Sequence, residues 1–150
     1  MIALASDHVG LDLKRIIMEE LDAMGQSYVD FGTDTDARCN YPEYAFRAAE
    51  AVRKGECSKG IIFCGTGIGM SIAANKVKGI RCVVCSEPYS AQLSRRHNDT
   101  NMLALGSRVV GAELAKMIVK AWLEGEYEGG RHAIRIDQIR QIEENGNLKT

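Results

Sequence analysis

No apolar run in this chain approaches the ~18 residues that crossing a membrane requires. Its first residues, Met1-Ile2-Ala3-Leu4-Ala5, carry neither a basic stretch nor a long apolar segment. Both absences point to a soluble, cytoplasmic protein without a membrane partner. A basic surface signature is missing too: 19 Lys and Arg against 20 Asp and Glu leave a net charge of −1, and no basic stripe is interleaved with aromatics, which argues against nucleic-acid binding. The cysteines are odd in number (Cys39, Cys57, Cys64, Cys82, Cys85), and three of the five lie in apolar, strand-like runs. Reduced thiols are expected, not a disulfide framework. Histidine is scarce, with only His8, His97 and His132, and none makes a convincing i+3 or i+4 pair with another ligand. No metal site is expected. Internal repeats, low-complexity tracts and linkers are absent, and 150 residues suit one domain spanning 1–150.

What the chain does have is alternation. Ile2 to Ser6 reads as a strand, followed by a helix with Leu13, Ile16, Ile17, Leu21 and Met24 on one face and Gly25 as its stop. Ser27 to Phe31 predicts a second strand. A polar, turn-rich segment then leads to Pro42 at the start of a helix that runs to about Lys54. The run from Ile61 predicts the third strand, Met70 to Val77 a helix, and Ile80 to Cys85 the fourth strand. Ser86-Glu87-Pro88 is a helix-start signature. Asn101 to Leu105 completes five strands, followed by helices over Gly111 to Leu123 and Ile134 to Glu144 and a frayed tail from Asn145. Such alternation predicts an α/β fold: a three-layer α/β/α sandwich around a five-stranded parallel sheet, Rossmann-like, with the first strand central. Ligands bind beyond the carboxyl ends of such strands. The loops at Asp7-His8, at Cys64 and at Gly106 to Arg108 are therefore expected on one edge.

The segment Ile61-Ile62-Phe63-Cys64-Gly65-Thr66-Gly67-Ile68-Gly69-Met70-Ser71 runs a buried strand into a glycine-rich turn. Without Cβ atoms in the way, successive N–H groups can point at an anionic oxygen, and the following helix start adds partial positive charge. The same field favours thiolate at Cys64. A tight turn with a small buried cysteine as filler accounts for the same residues. The turn is not a Walker A loop, since no Lys-Ser/Thr follows, nor a dinucleotide fingerprint, since position 70 is Met. No cofactor is called for.

Cys82 and Cys85 match C-x-x-C, but three residues apart in a strand they face opposite sides and read as packing, while Cys39 and Cys57 read as surface or loop residues. Arg131 and Arg135, four apart at the start of the last helix, can grip one phosphate or be two solvated arginines. His97 and Asn98 lie in a polar helix end, where a proton-transferring group or a plain surface terminus fits equally.

Taken together, Ser6-Asp7-His8-Val9-Gly10, the Cys64 turn, Ser86-Glu87-Pro88-Tyr89, Arg96-His97-Asn98-Asp99-Thr100-Asn101, Gly106-Ser107-Arg108-Val109-Val110 and Gly129-Gly130-Arg131-His132 resemble the ribose-5-phosphate isomerase B family over nearly the whole chain. That family also contains galactose-6-phosphate and allose-6-phosphate isomerases. The resemblance implies a metal-independent aldose–ketose isomerase with no cofactor, a homodimer or dimer of dimers with sites at the subunit interface. It implies Cys64 as the base, acting through a cis-enediolate, with N–H groups of Gly65, Gly67, Ile68 and Gly69 on the oxyanion and Thr66 shuttling hydroxyl protons. His97 would open the furanose ring and Asp7 would hold ring oxygens or hydroxyls. His8, Arg131 and Arg135 would bind phosphate, Asn98 and Arg108 would complete the pocket, and Tyr41 would line the sugar slot. D-ribose 5-phosphate is the expected substrate; a six-carbon sugar phosphate, or a non-catalytic phosphosugar-binding module, are the alternatives.

Overall fold

The computed structural model describes residues 1–148. In chain order the elements are β1 (Ile2–Ser6), α1 (Leu11–Ala23), β2 (Tyr28–Asp30), α2 (Tyr41–Arg53), β3 (Lys59–Cys64), α3 (Ile68–Ala74), β4 (Cys82–Val84), α4 (Pro88–Asn98), β5 (Met102–Gly106), α5 (Ala112–Glu124) and α6 (Arg131–Asn145). The strands form one parallel sheet in the order β2-β1-β3-β5-β4. β1, expected at the centre, is interior but second in the order, and the central strand is β3.

Both faces of the sheet are covered, because alternate residues of the inner strands are apolar on both sides. Ile61, Phe63, Leu103 and Leu105 pack with Ile17 and Leu21 of α1 and Ile118 and Trp122 of α5. Ile62, Cys64 and Ala104 pack on the other side with Ala45, Ala48 and Ala49 of α2 and Met70 of α3. The three-layer α/β/α sandwich is thus present, and the small residues of α2 let that helix lie close to the sheet.

Several boundaries move for local reasons. β4 keeps only Cys82–Val84 of the expected Ile80 to Cys85, because the N–H of Arg81 is taken by the Asn101 side chain and Ile80 closes a turn onto Val77. α3 starts at Ile68, two residues before Met70, because Gly67 adopts φ 77° and caps it. α6 starts at Arg131 and runs through Asn145, where a frayed tail was expected; only positions 149–150 of that tail lie outside the described residues. Cys57, expected as a surface or loop residue, lies in the loop between α2 and β3 but is buried in the α2 layer. Cys82 and Cys85 do face opposite layers, and all five cysteines are free.

One buried group breaks the apolar pattern of α1. Lys14 is 1% exposed, with its ammonium 2.7 Å from Asp30 at the end of β2 and donating to the Thr33 carbonyl. It ties the 31–40 loop, which leads into α2, to the sheet. Asp30 is a quarter exposed, so water softens its loss of the partner. Lys14→Met is expected to cost about 3 kcal/mol, at the low end for a broken buried pair, read as a lowered denaturant midpoint with unchanged m.

No helix among the described residues is long and apolar enough to cross a membrane. α6 instead leaves Ile134 66% exposed, with Ile139 and Ile142 about half exposed.

Candidate active site

The chain leaves β1 for one side of the sheet and β3 for the other, so the crevice beyond their carboxyl ends is where a parallel sheet of this order binds ligands. Register decides what stands there. Ser6 pairs with Phe63 and Cys64 with Gly106, which sets Asp7, Cys64 and Ser107 side by side. Asp7 is buried, and its Oδ1 accepts from the N–H groups of Val9 and Gly10 at 2.9 Å each, leaving Oδ2 without a hydrogen bond among the described residues. The Ser107 hydroxyl donates to the Val9 carbonyl at 2.9 Å and joins the first loop to the last.

Cys64 forms the floor of the crevice, 5% exposed. The Gly67 N–H donates to its sulfur at 3.1 Å, a contact that the left-handed Gly67 conformation makes possible. Ile68 N–H turns to the Thr66 hydroxyl at 3.3 Å, so not every N–H of the turn faces outward. Gly69 and Met70, in the first turn of α3, have no intrahelical acceptor by position. Space, as well as φ, demands glycine here: a Cβ on Gly106 would lie 2.6 Å from the Thr66 carbonyl carbon, and one on Gly69 would lie 2.6 Å from the Tyr41 ring. Tyr41 therefore roofs the turn. Arg108 lies over Gly65, and its own N–H donates to the Gly65 carbonyl at 2.9 Å. Beside this turn a cavity of about 250 Å³ is lined by Thr66, Ile68, Val84, Cys85, Ser86, Gly106 and Val109. His8, next in the chain after Asp7, is half-buried, with its Nδ1 accepting from the Cys39 N–H at 3.4 Å.

The remaining expected residues stand elsewhere. α4 runs back across the sheet from the end of β4, so His97 and Asn98 reach the amino edge, where the Asn98 carbonyl accepts from Arg81 just ahead of β4. Six residues of β3 separate that edge from Cys64, a span of roughly 17–20 Å. A buried chain from the Ser94 hydroxyl to the Thr100 hydroxyl to the Trp122 indole fixes the end of α4 against α5. There the His97 and His132 rings stack with centroids 4.3 Å apart and 11° between planes. Arg131 and Arg135 are exposed in the first turns of α6 on the same edge, without an ion pair among the described residues. The expected residues of one chain thus fall into two groups on opposite edges of its sheet: Asp7, His8, Tyr41, Cys64 to Gly69 and Arg108 on one, His97, Asn98, Arg131 and Arg135 on the other.

Glu128 was missed in the sequence. Its Oε1 accepts from Arg96 Nε at 2.6 Å, and its Oε2 lies 3.9 Å from His97 Nε2 and 3.5 Å from His132 Nε2. The Arg96 hydrogen bond holds the Glu128 carboxyl below the usual carboxylate range. Burial lowers the His132 imidazole, with His97 and Arg131 pushing the same way and Glu128 opposing. Glu128 and His132 are four residues apart, the one legible signal. The three side chains bring their ligand atoms within 4.8 Å of one another, yet the lone pairs of stacked rings lie in two nearly parallel planes and do not meet at one point. A metal would require the stack to open. Among the other thiols, burial pushes Cys85 up to about 11, with Glu87 adding to it, and raises Cys57 and Cys82 as well.

Residues 2–139 match the Ribose/Galactose Isomerase family. The chain belongs to this family. Ribose-5-phosphate isomerase B of Escherichia coli is 60% identical to it over 146 residues, covering 97% of this chain and 98% of the relative. Among solved structures, ribose-5-phosphate isomerase B of Clostridium thermocellum superposes with a TM-score of 0.95 at 51% identity, covering 97% of this chain and 99% of that one. The Mycoplasma genitalium ribose-5-phosphate isomerase B, solved with bound ribulose-5-phosphate, gives 0.91 at 42% identity over 96% of both chains. The family's five-stranded α/β fold and this chain's fold agree along nearly their whole length.

Proposed function

We propose that this chain interconverts D-ribose 5-phosphate and D-ribulose 5-phosphate, as one isomerase domain in the cytoplasm, with active sites completed between two copies. The observation that carries the reading is the Gly67 N–H aimed at the Cys64 sulfur on the floor of the crevice. It fixes the sulfur at the mouth of the glycine turn, beside the N–H groups at the start of α3. The identity to ribose-5-phosphate isomerase B relatives supports the substrate.

In the open-chain aldose, Cys64 takes the C2 proton and the electron pair moves to the carbonyl oxygen, giving a cis-enediolate. The N–H groups at the start of α3 meet that oxygen's negative charge. The proton returns to C1, while Thr66 carries the hydroxyl proton between O1 and O2, and no redox group is needed. Asp7 holds hydroxyls through its unoccupied oxygen, with Tyr41 and Arg108 as walls. Ring opening and phosphate binding fall to His97, Asn98, Arg131 and Arg135 of a second copy, with His8 at the phosphate end. A sugar phosphate is far shorter than the span between the two half-sites of one chain, so a partner must bring the second set. The exposed isoleucines of α6, beside Arg131 and Arg135, supply apolar surface for that pairing in a homodimer or dimer of dimers.

The test is turnover of D-ribose 5-phosphate by the purified protein with a chelator present, reading D-ribulose 5-phosphate directly. Efficient, chelator-insensitive turnover is expected. Binding without turnover, or a kcat/KM that favours galactose 6-phosphate or allose 6-phosphate, overturns the substrate assignment.

A further inference from the structure

Glu128 belongs to no strand or helix, and its side chain is more than a third exposed, yet it gathers three basic groups, Arg96, His97 and His132, around one carboxylate. Its backbone is anchored as well, since the Glu128 N–H donates to the Arg96 carbonyl at 3.0 Å and holds the 125–130 segment against the end of α4. The division of its oxygens is informative. Oε1 is consumed by Arg96, which fixes the plane of the carboxylate, and Oε2 is left facing the Nε2 atoms of both stacked imidazoles. Two imidazoles 4.3 Å apart repel each other when both are charged, so the stack favours one proton. His132 is the buried member and His97 the half-exposed one, at 36% side-chain exposure, so burial disfavours the charge on His132 and leaves His97 as its place.

We propose that Glu128 is the positioning residue of the proton donor His97: its Oε2, facing both imidazoles at 3.9 and 3.5 Å, is the counter-charge that keeps one proton on the stacked pair, and the burial of His132 leaves that proton on His97. The inference rests on the reading of His97 as the group that opens the furanose ring. Glu128 itself does not touch the sugar. It acts on His97 as a counter-charge, in the way a carboxylate orients and charges a catalytic imidazole elsewhere. The other charges around His97 do not replace it. Arg96, Arg131 and Arg135 are cationic and oppose an imidazolium, whereas Asp99 at the end of α4 is paired with both Arg95 and Arg81. Glu128 is the anion left to face the pair among the described residues.

The sign follows directly. A donor must be protonated to act, so the ring-opening step fails as pH rises and His97 loses its proton. Removing the Glu128 charge makes that loss occur earlier. In Glu128→Gln the alkaline limb of kcat/KM for D-ribose 5-phosphate is expected to move to lower pH by roughly half to one pH unit, the size of one charge at about 4 Å in a water-exposed setting. The His97 ring signal, followed by NMR through a pH titration, is to move by the same amount, and Glu128→Asp is to fall between the two. A structural role alone lowers the rate at every pH and leaves both midpoints where they were. Unmoved midpoints in folded Glu128→Gln, or in folded Glu128→Asp should the Gln chain not fold, overturn the proposal. If the parent protein fails to isomerise D-ribose 5-phosphate while the NMR midpoint still shifts, the functional reading fails and the Glu128–His97 coupling stands.

Discussion

Replacing Cys64 by Ala is expected to lower kcat for D-ribose 5-phosphate by about 10²- to 10⁴-fold, the range that a positioned acid–base group contributes, while the substrate Kd changes little. The asymmetry comes from where the sulfur sits. It is 5% exposed at the end of β3, beneath the turn, and the groups assigned to the phosphate and the hydroxyls are different residues. Alanine in its place removes the proton acceptor and the partner of the Gly67 N–H without disturbing the glycine contacts that shape the turn, so the cradle survives. None of the other cysteines can take over. Cys57, Cys82 and Cys85 are raised by burial, and the Cys39 sulfur is engaged with His8 Nδ1 at 3.8 Å in the 31–40 loop. Single-turnover kinetics beside calorimetric binding read the two quantities separately. A variant that keeps turnover within tenfold of the parent removes Cys64 from the role of base.

The second large effect is a recovery. Cys64→Ala and His97→Ala chains, each nearly inactive alone, are expected to regain about a quarter of the parent activity when co-expressed or unfolded and refolded together in equal amounts. Under two-fold symmetry, random pairing makes half of the dimers mixed, and each mixed dimer holds one intact site and one doubly altered site. The reason is geometric. Cys64 closes the carboxyl edge of the sheet and His97 the amino edge, so no single chain brings them to one small sugar. If both residues served one site from the same chain, every mixed dimer would carry one lesion per site and nothing would return. Activity of the mixture equal to that of the separate variants therefore rejects the shared site.

The order of strands and helices was legible because it is written in local periodicity: β-branched runs for the inner strands, a 3.6-residue stripe for α1 and α5, and glycine or proline at the boundaries. Boundaries slipped where a tertiary contact competed. Asn101 draws the N–H of Arg81 out of β4, and the left-handed turn at Gly67 starts α3 early. Lys14 escaped notice because a lysine on an apolar stripe looks like an interruption until Asp30 and the Thr33 carbonyl are brought to it by the pairing of β1 with β2.

The candidate site divides in the same way. By itself the sequence determined the β3–α3 glycine turn with Cys64 at its root, and the gathering of Asp7, Cys64 and Arg108 on one edge, since parallel strands put their following loops together. Only the tertiary structure decided that His97, Asn98, Arg131 and Arg135 stand on the opposite edge, that His97 stacks on His132, and that Glu128 faces both. Those facts depend on how α4, α5 and α6 pack against one another across 30 and more residues of chain. Spacing along a sequence reports neighbours on one element; it does not report which ends of three separate elements meet.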